Sequence, residues 1–204
     1  FNGALITQYT EGSFDDLYSL TLERLDALRL YQAVSTKFPE ISFNIYSGER
    51  WYVEQEDEWV KQEAAITKMD PESISMEYFL KEHLPVHKIL CMGNPDDIQK
   101  LEDELARANL SNISYYRSKD TYMEIVNNQV SKLGALHFLC EKYGVALANT
   151  LAIGDNFNDM PMIMHAGKGI AMGNAPDEVK QAADCVTDTN DENGFYKALA
   201  KSLG

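Results

Sequence analysis

The sequence predicts an α/β chain: a doubly wound parallel core with a mixed antiparallel α/β unit inserted into it. Three observations carry that prediction. Short apolar runs alternate with helical stripes over residues 127–204, the pitch of a parallel sheet with helical crossovers. Hairpins and helices mix over residues 21–126, which suits a separate lid-like unit. The 204 residues, 45% hydrophobic and 25% charged, can build a substantial core without a disulfide or metal staple. The core is assigned to residues 1–20 and 127–204, and the inserted unit to 21–126.

Taken in order, Leu22–Phe38 reads as a long helix, with Leu25, Leu28, Leu30, Tyr31 and Val34 among its apolar positions. Ile41–Ser47 and Trp51–Val53 form a hairpin around Gly48-Glu49. Asp57–Met69 is helical and is followed by the turn Asp70-Pro71. Val86–Met92 is a strand, Pro95–Ala108 a helix, and Ile113–Tyr116 with Tyr122–Val126 a second hairpin. Lys132–Tyr143 carries the stripe Leu133, Ala135, Leu136, Leu139 and Cys140, closed by Gly144. Thr150–Ile153 is a short buried strand ending at Gly154-Asp155. Met160–His165 is helical with Pro161 in its first turn. Gly169–Met172 is a strand, Pro176–Ala183 a helix, Cys185–Thr187 a third strand and Gly194–Ser202 a closing helix.

Composition excludes several functions. With 18 basic and 32 acidic side chains the net charge is −14, the wrong sign for nucleic acid or an anionic membrane surface. The charge is uneven: residues 127–204 hold 6 basic and 9 acidic groups, leaving 12 and 23 for residues 1–126. Glu54, Glu56, Asp57 and Glu58 form one acidic run, read as a solvated helix start. Cys91, Cys140 and Cys185 are odd in number and far apart, so no disulfide framework is expected and a reducing cytoplasm is. His83, His87, His137 and His165 show no metal spacing. No run approaches a membrane span, and no nucleophile elbow or Gly-rich nucleotide loop occurs. Trp51, Tyr52 and Tyr122 could meet a sugar or a base, with packing the simpler role.

The chemistry concentrates in Gly154-Asp155-Asn156-Phe157-Asn158-Asp159, between a strand and a helix. In doubly wound sheets, ligands sit at the carboxyl ends of strands. Two carboxylates with amides between them suit a hard cation such as Mg2+, which keeps waters and a substrate phosphate in its shell. The alternative is an ordinary capped turn. A calcium EF-hand register fails, because Phe157 takes the third position and Met160 the glycine position. Lys132, opening its helix, gains meaning beside this loop: a fixed ammonium can neutralise a phosphoryl group that the metal also holds.

Ser131-Lys132-x-x-Ala135-Leu136, Ile153-Gly154-Asp155-x-x-Asn158-Asp159-x-x-Met162 and Ala166-Gly167-x-Gly169-Ile170-Ala171-Met172-Gly173-Asn174-Ala175 together resemble the C-terminal half of the haloacid dehalogenase (HAD) superfamily. More narrowly, the chain resembles the Cof-like phosphatases, which carry an α/β cap between the two parts of the core; Phe1-Asn2-Gly3-Ala4-Leu5-Ile6 is similar to their strand before the cap. The resemblance implies a HAD-like, Rossmann-like core and a Mg2+-dependent phosphatase of a small phosphorylated metabolite, such as a sugar phosphate. A carboxylate attacks phosphorus and water hydrolyses the aspartyl-phosphate. By motif match Asp155 would ligate Mg2+, Asp159 would support the metal or orient Lys132, Lys132 would steady the phosphoryl charge, Asn158 would bind phosphate, and Asn156 could add a metal ligand. Specificity would come from cap loops and polar positions near Asn2 and Asn174.

The family's nucleophile lies in an Asp-x-Asp-Gly-Thr/Ser motif after its first strand, and this sequence has none. Phe14-Asp15-Asp16-Leu17 lacks the spacing, and Thr187-Asp188-Thr189-Asn190 lacks the second Asp and the Gly. The expectation is therefore a core that is N-terminally incomplete, opening after the family's second crossover, with the nucleophile outside this chain. The 204 residues alone would then be inactive or nearly so. The alternative is a truncated, non-catalytic protein that binds a phosphate ligand; an interaction module has no motif in its favour.

Overall fold

The computed structural model of the chain describes residues 1–82, 84–108 and 110–203. His83 therefore lies outside the described residues. The chain divides into two units: Phe1 with Gly3–Val130, and Asn2 with Ser131–Gly204.

The first unit opens with an antiparallel hairpin, β1 (Leu5–Thr10) and β2 (Ser13–Ser19). Its turn takes positive φ at Glu11 (50°) and Gly12 (93°), the twist-matched conformation for a two-residue hairpin. The sequence reading sees only its first apolar residues, because most of its side chains are exposed or half-buried and show no alternation of burial. Next come α1 (Arg24–Lys37), β3 (Ser42–Ser47), β4 (Arg50–Val53), α2 (Glu58–Thr67), β5 (Glu72–Ser73) and α3 (Met76–Lys81). The unit closes with β6 (Lys88–Met92), α4 (Pro95–Ala108), β7 (Ile113–Lys119) and β8 (Tyr122–Asn127). Apart from the β1-β2 hairpin, strands β3 to β8 form one sheet in the order β5-β4-β3-β6-β8-β7, antiparallel except for the β4/β5 pair.

Strand alternation splits this sheet into two apolar faces. Phe43, Ile45, Tyr52, Ile89, Cys91, Met123 and Ile125 pack with Leu30 and Val34 of α1, Phe79 of α3, and Ile98 and Leu101 of α4. On the other face Tyr46, Trp51, Val53, Leu90, Met92 and Tyr122 pack with Val60 of α2. Every residue of β3 is consequently buried. Its one amide, Asn44, is satisfied: Nδ2 donates to the Ser42 and Leu90 carbonyls, and Oδ1 accepts from Trp51 Nε1 at 2.9 Å. Trp51, Tyr52 and Tyr122 are thus core residues. In the acidic run, Asp57 caps α2 by accepting from the Val60 N–H at 2.9 Å.

The second unit contains α5 (Lys132–Tyr143), β9 (Leu151–Gly154), α6 (Met160–His165), β10 (Lys168–Ala171), α7 (Asp177–Ala182), β11 (Cys185–Val186) and α8 (Gly194–Leu203). Its sheet runs β11-β10-β9, parallel throughout, with a helix between successive strands. Ile163, Ala171, Ala175 and Val179 form its buried cluster. Both β9 and β10 run into loops that carry polar groups: Asp155–Asp159 after β9, and Asn174 after β10. Among the described residues no helix is long and apolar enough to cross a membrane.

Candidate active site

The loop after β9 is organised by Asp159, which is 3% exposed. Its Oδ2 accepts from the backbone N–H groups of Asp155 (3.0 Å) and Asn156 (3.2 Å). Its Oδ1 accepts from Lys132 Nζ at 2.5 Å. A buried carboxylate persists only with such charge-assisted partners, so Asp159 folds the loop and fixes the lysine together. Gly154 leaves room for it: a Cβ there would lie 2.3 Å from Asp159 Cβ and 2.6 Å from its Cγ. No other residue type fits that position with Asp159 in place.

Lys132 reaches this point because α5 starts where it does. Ser131 is the N-cap, extended (φ −156°, ψ 150°), and its Oγ accepts from the Gly134 N–H at 2.9 Å. Lys132 follows as the first helical residue, and its side chain is 33% exposed. The ammonium is therefore anchored to Asp159 on a side chain that stays partly exposed.

Asp155 is exposed. Its Oδ2 accepts from Asn174 Nδ2 at 3.4 Å, and Asn174 Oδ1 accepts in turn from the Asn190 N–H at 3.1 Å. Asn158 Nδ2 donates to Asn2 Oδ1 at 3.1 Å; Asn2 has φ 53°, a left-handed conformation that asparagine tolerates. Asn156 Oδ1 accepts from its neighbour Phe157 N–H at 2.8 Å and so is engaged locally. Lys132, Asp155 and Asp159 are brought together, Asn158 is tied to Asn2, and Asn156 is turned to its own backbone.

Among the described residues no three His, Cys, Asp or Glu side chains converge as a metal cluster. The donor set at the end of β9 is nonetheless all hard oxygen and amide, with one exposed carboxylate and no thiol or imidazole. That chemistry fits Mg2+, which is commonly held through one or two carboxylates with waters and phosphate completing its shell. Sequence reasoning missed the Asn190 link, because its contribution is a main-chain donor that no side-chain pattern announces.

A family model for haloacid dehalogenase-like hydrolases matches residues 1–199. The chain belongs to this family. The hydrolase is 34% identical over its whole length to a Haemophilus influenzae protein provisionally named a phosphatase, of which it spans 74%. Over 121 residues, 58% of the chain, it is 40% identical to the Bacillus subtilis 5-amino-6-(5-phospho-D-ribitylamino)uracil phosphatase YcsE, covering 48% of that protein. A solved haloacid dehalogenase-like hydrolase from Bacteroides thetaiotaomicron superposes with a TM-score of 0.83 at 34% identity, covering 93% of this chain and 70% of that one. The fold is therefore that of HAD-like hydrolases, and the family's relatives include named phosphatases.

Proposed function

We propose that this hydrolase is a Mg2+-dependent phosphatase of a small phosphorylated metabolite such as a sugar phosphate. The observation that carries the reading is the meeting of the partly exposed Lys132 side chain with the exposed Asp155 around the buried Asp159 carboxylate. The phosphoribityl substrate in the name of the YcsE relative supports the substrate class. Three free thiols, two of them buried, support a cytoplasmic setting.

In this reading residues 1–20 and 127–204 form the catalytic part and residues 21–126 the cap. Asp155 would hold Mg2+, and Asn156 would add an oxygen only by giving up its bond to the Phe157 N–H; bound there, the ion would neutralise phosphoryl oxygens. Lys132 sets a second positive charge against the phosphoryl group, and Asp159 keeps that ammonium from swinging into solvent. Asn158 donates its amide N–H to a phosphate oxygen, in place of its bond to Asn2. Phosphoryl transfer to a carboxylate, followed by hydrolysis, needs a nucleophile, and no Asp-x-Asp-Gly-Thr/Ser motif occurs in the 204 residues. We assign that carboxylate to a segment outside them. By themselves the 204 residues then act as a Mg2+-dependent phosphate binder.

Phosphorus NMR of inorganic phosphate, titrated with the chain and Mg2+, tests the binding half. Line broadening that disappears in Lys132→Ala is expected; its absence from the wild-type chain would remove the proposal. Hydrolysis of p-nitrophenyl phosphate with Mg2+ tests the other half. Little or no turnover is expected, and turnover abolished by Asp155→Ala would place the nucleophile within these residues after all.

A further inference from the structure

We infer that Asn174 is a positioning residue for Asp155, and that the turn at residues 189–192 sets it. The inference rests on the reading of Asp155 as the magnesium-holding carboxylate and adds to it the group that fixes that carboxylate's rotamer. A side-chain amide can present either its oxygen or its nitrogen to a neighbour. Here the choice is forced. Asn174 Oδ1 accepts from the Asn190 backbone N–H at 3.1 Å, so the same amide turns Nδ2 toward Asp155, donating to Oδ2 at 3.4 Å. No hydrogen bond among the described residues engages Asp155 Oδ1. One oxygen is thereby held by a neutral donor and the other is left to a cation.

The donor at Asn190 is itself held in place. Thr189 and Glu192 close a reciprocal box: Thr189 Oγ1 donates to Glu192 Oε2 at 2.9 Å, the Thr189 N–H donates to the same oxygen at 3.4 Å, and the Glu192 N–H donates to the Thr189 carbonyl at 3.1 Å. Asn193 ends the turn with φ 61°. The strand side is pressed against this turn, since the Gly173 N–H donates to the Asp188 carbonyl at 3.0 Å and a Cβ on Gly173 would lie 2.8 Å from the Thr189 nitrogen. The line from the Thr189–Glu192 box through Asn190 and Asn174 to Asp155 is continuous. Partners of this kind behind a metal ligand orient it, and their loss commonly weakens metal affinity tenfold or more.

Two measurements on the full chain test this, and they separate it from the reading on which it rests. In metal-free protein, the side-chain amide resonances of Asn174 should shift on Asp155→Ala and on Thr189→Ala, with the rest of the amide spectrum retained. Unmoved Asn174 resonances in Asp155→Ala overturn the inference whatever the metal does. In Mg2+ titrations followed by calorimetry, Asn174→Ala should weaken binding about tenfold, and Asn174→Gln, which keeps the donor, should recover part of the loss. Loss of Mg2+ binding in Asp155→Asn with wild-type affinity in Asn174→Ala refutes the inference and leaves the metal reading standing. Equal affinity of wild type and Asp155→Asn refutes both.

Discussion

Among the described residues, 20 buried ones from the first unit's sheet, three helices and their flanking loops form a single cluster, whereas the second unit's cluster has four: Ile163, Ala171, Ala175 and Val179. The glycines divide the other way. In the second unit a Cβ would fall 2.3 Å from Asp159 Cβ at Gly154, 2.1 Å from the Ile163 carbonyl oxygen at Gly169 and 1.9 Å from the Asp188 carbonyl oxygen at Gly194; in the first unit a Cβ at Gly93 would be 3.2 Å from Ile41 Cγ1, and those at Gly12 and Gly48 would meet nothing closer than 4.0 Å. One unit is held by large apolar side chains filling a layered core, the other by backbone brought against backbone and by polar loops. The candidate site lies in the second, where loops fixed by hydrogen bonds can present carboxylates, amides and an ammonium, which an apolar core cannot.

Opposite substitutions should expose that difference most strongly. Phe79 is fully buried, and Phe79→Ala should cost the first unit about 3–5 kcal/mol. In the second unit the damaging change is an added methyl: Gly169→Ala should cost about 1–3 kcal/mol by overpacking, because its neighbour is backbone and cannot rotate away. The two tryptophans, Trp51 and Trp59, both lie in the first unit, so fluorescence in urea reports that unit alone. Phe79→Ala should shift the fluorescence midpoint. Gly169→Ala should leave it in place while speeding amide exchange over β9–β11. A fluorescence shift with Gly169→Ala as large as that with Phe79→Ala would dissolve the distinction.

A pH effect confined to the first unit comes next. His87 is 1% exposed; its Nδ1 accepts from the Gly48 N–H at 3.0 Å, and its Nε2 lies 2.9 Å from Ser19 Oγ. An imidazole that accepts at Nδ1 is neutral, so Nε2 carries the proton and donates to Ser19. Burial lowers its pKa below the usual 6.5, while Asp16 pulls the other way. Between the lowered folded value and 6.5 the unfolded chain binds the extra proton, so stability rises with pH across that window. The contribution is complete above about pH 6.5 and is lost as pH falls through the folded value. The fluorescence-detected urea midpoint should fall as pH is taken from 7 to 5, and His87→Gln should flatten that dependence. A midpoint with the same pH slope in His87→Gln would show that His87 is not the group responsible.

Legibility in the sequence followed local punctuation. Lys132–Tyr143 was readable to the residue because Ser131 caps it and Gly144, with φ 63°, ends it in the left-handed conformation. Pro95–Ala108 and Met160–His165 also fall where their prolines and apolar spacing put them. The six residues of α3 and the two of β5 were not readable, since neither spans enough chain to show a period. At the site, the Asp155–Asp159 loop and Lys132 were visible as residue types at a strand end. What Asp159 does with its two oxygens was not, because its partners are two backbone N–H groups and a side chain 27 positions away. The Gly154 requirement and the Asn190 donor are likewise facts of packing and main chain, which composition and spacing do not encode.

The smallest expected effect is also the one that separates stability from function. Ser131 and Asp57 do the same job at two helix starts, each accepting from the backbone N–H three residues on at 2.9 Å. Replacing either by Ala should cost about 1 kcal/mol, a difference of a few degrees in a thermal melt. The consequences should still diverge. Asp57 precedes α2, which packs on the sheet of the first unit, so Asp57→Ala should leave Mg2+-dependent phosphate binding unchanged. Ser131 immediately precedes Lys132, and fraying that first turn frees the backbone from which the ammonium reaches Asp159. Ser131→Ala should therefore weaken phosphate binding several-fold at the same small loss of stability, read by phosphorus NMR beside the melt. Equal binding in the two variants would mean that Asp159 alone holds the lysine and that the helix start contributes only to folding.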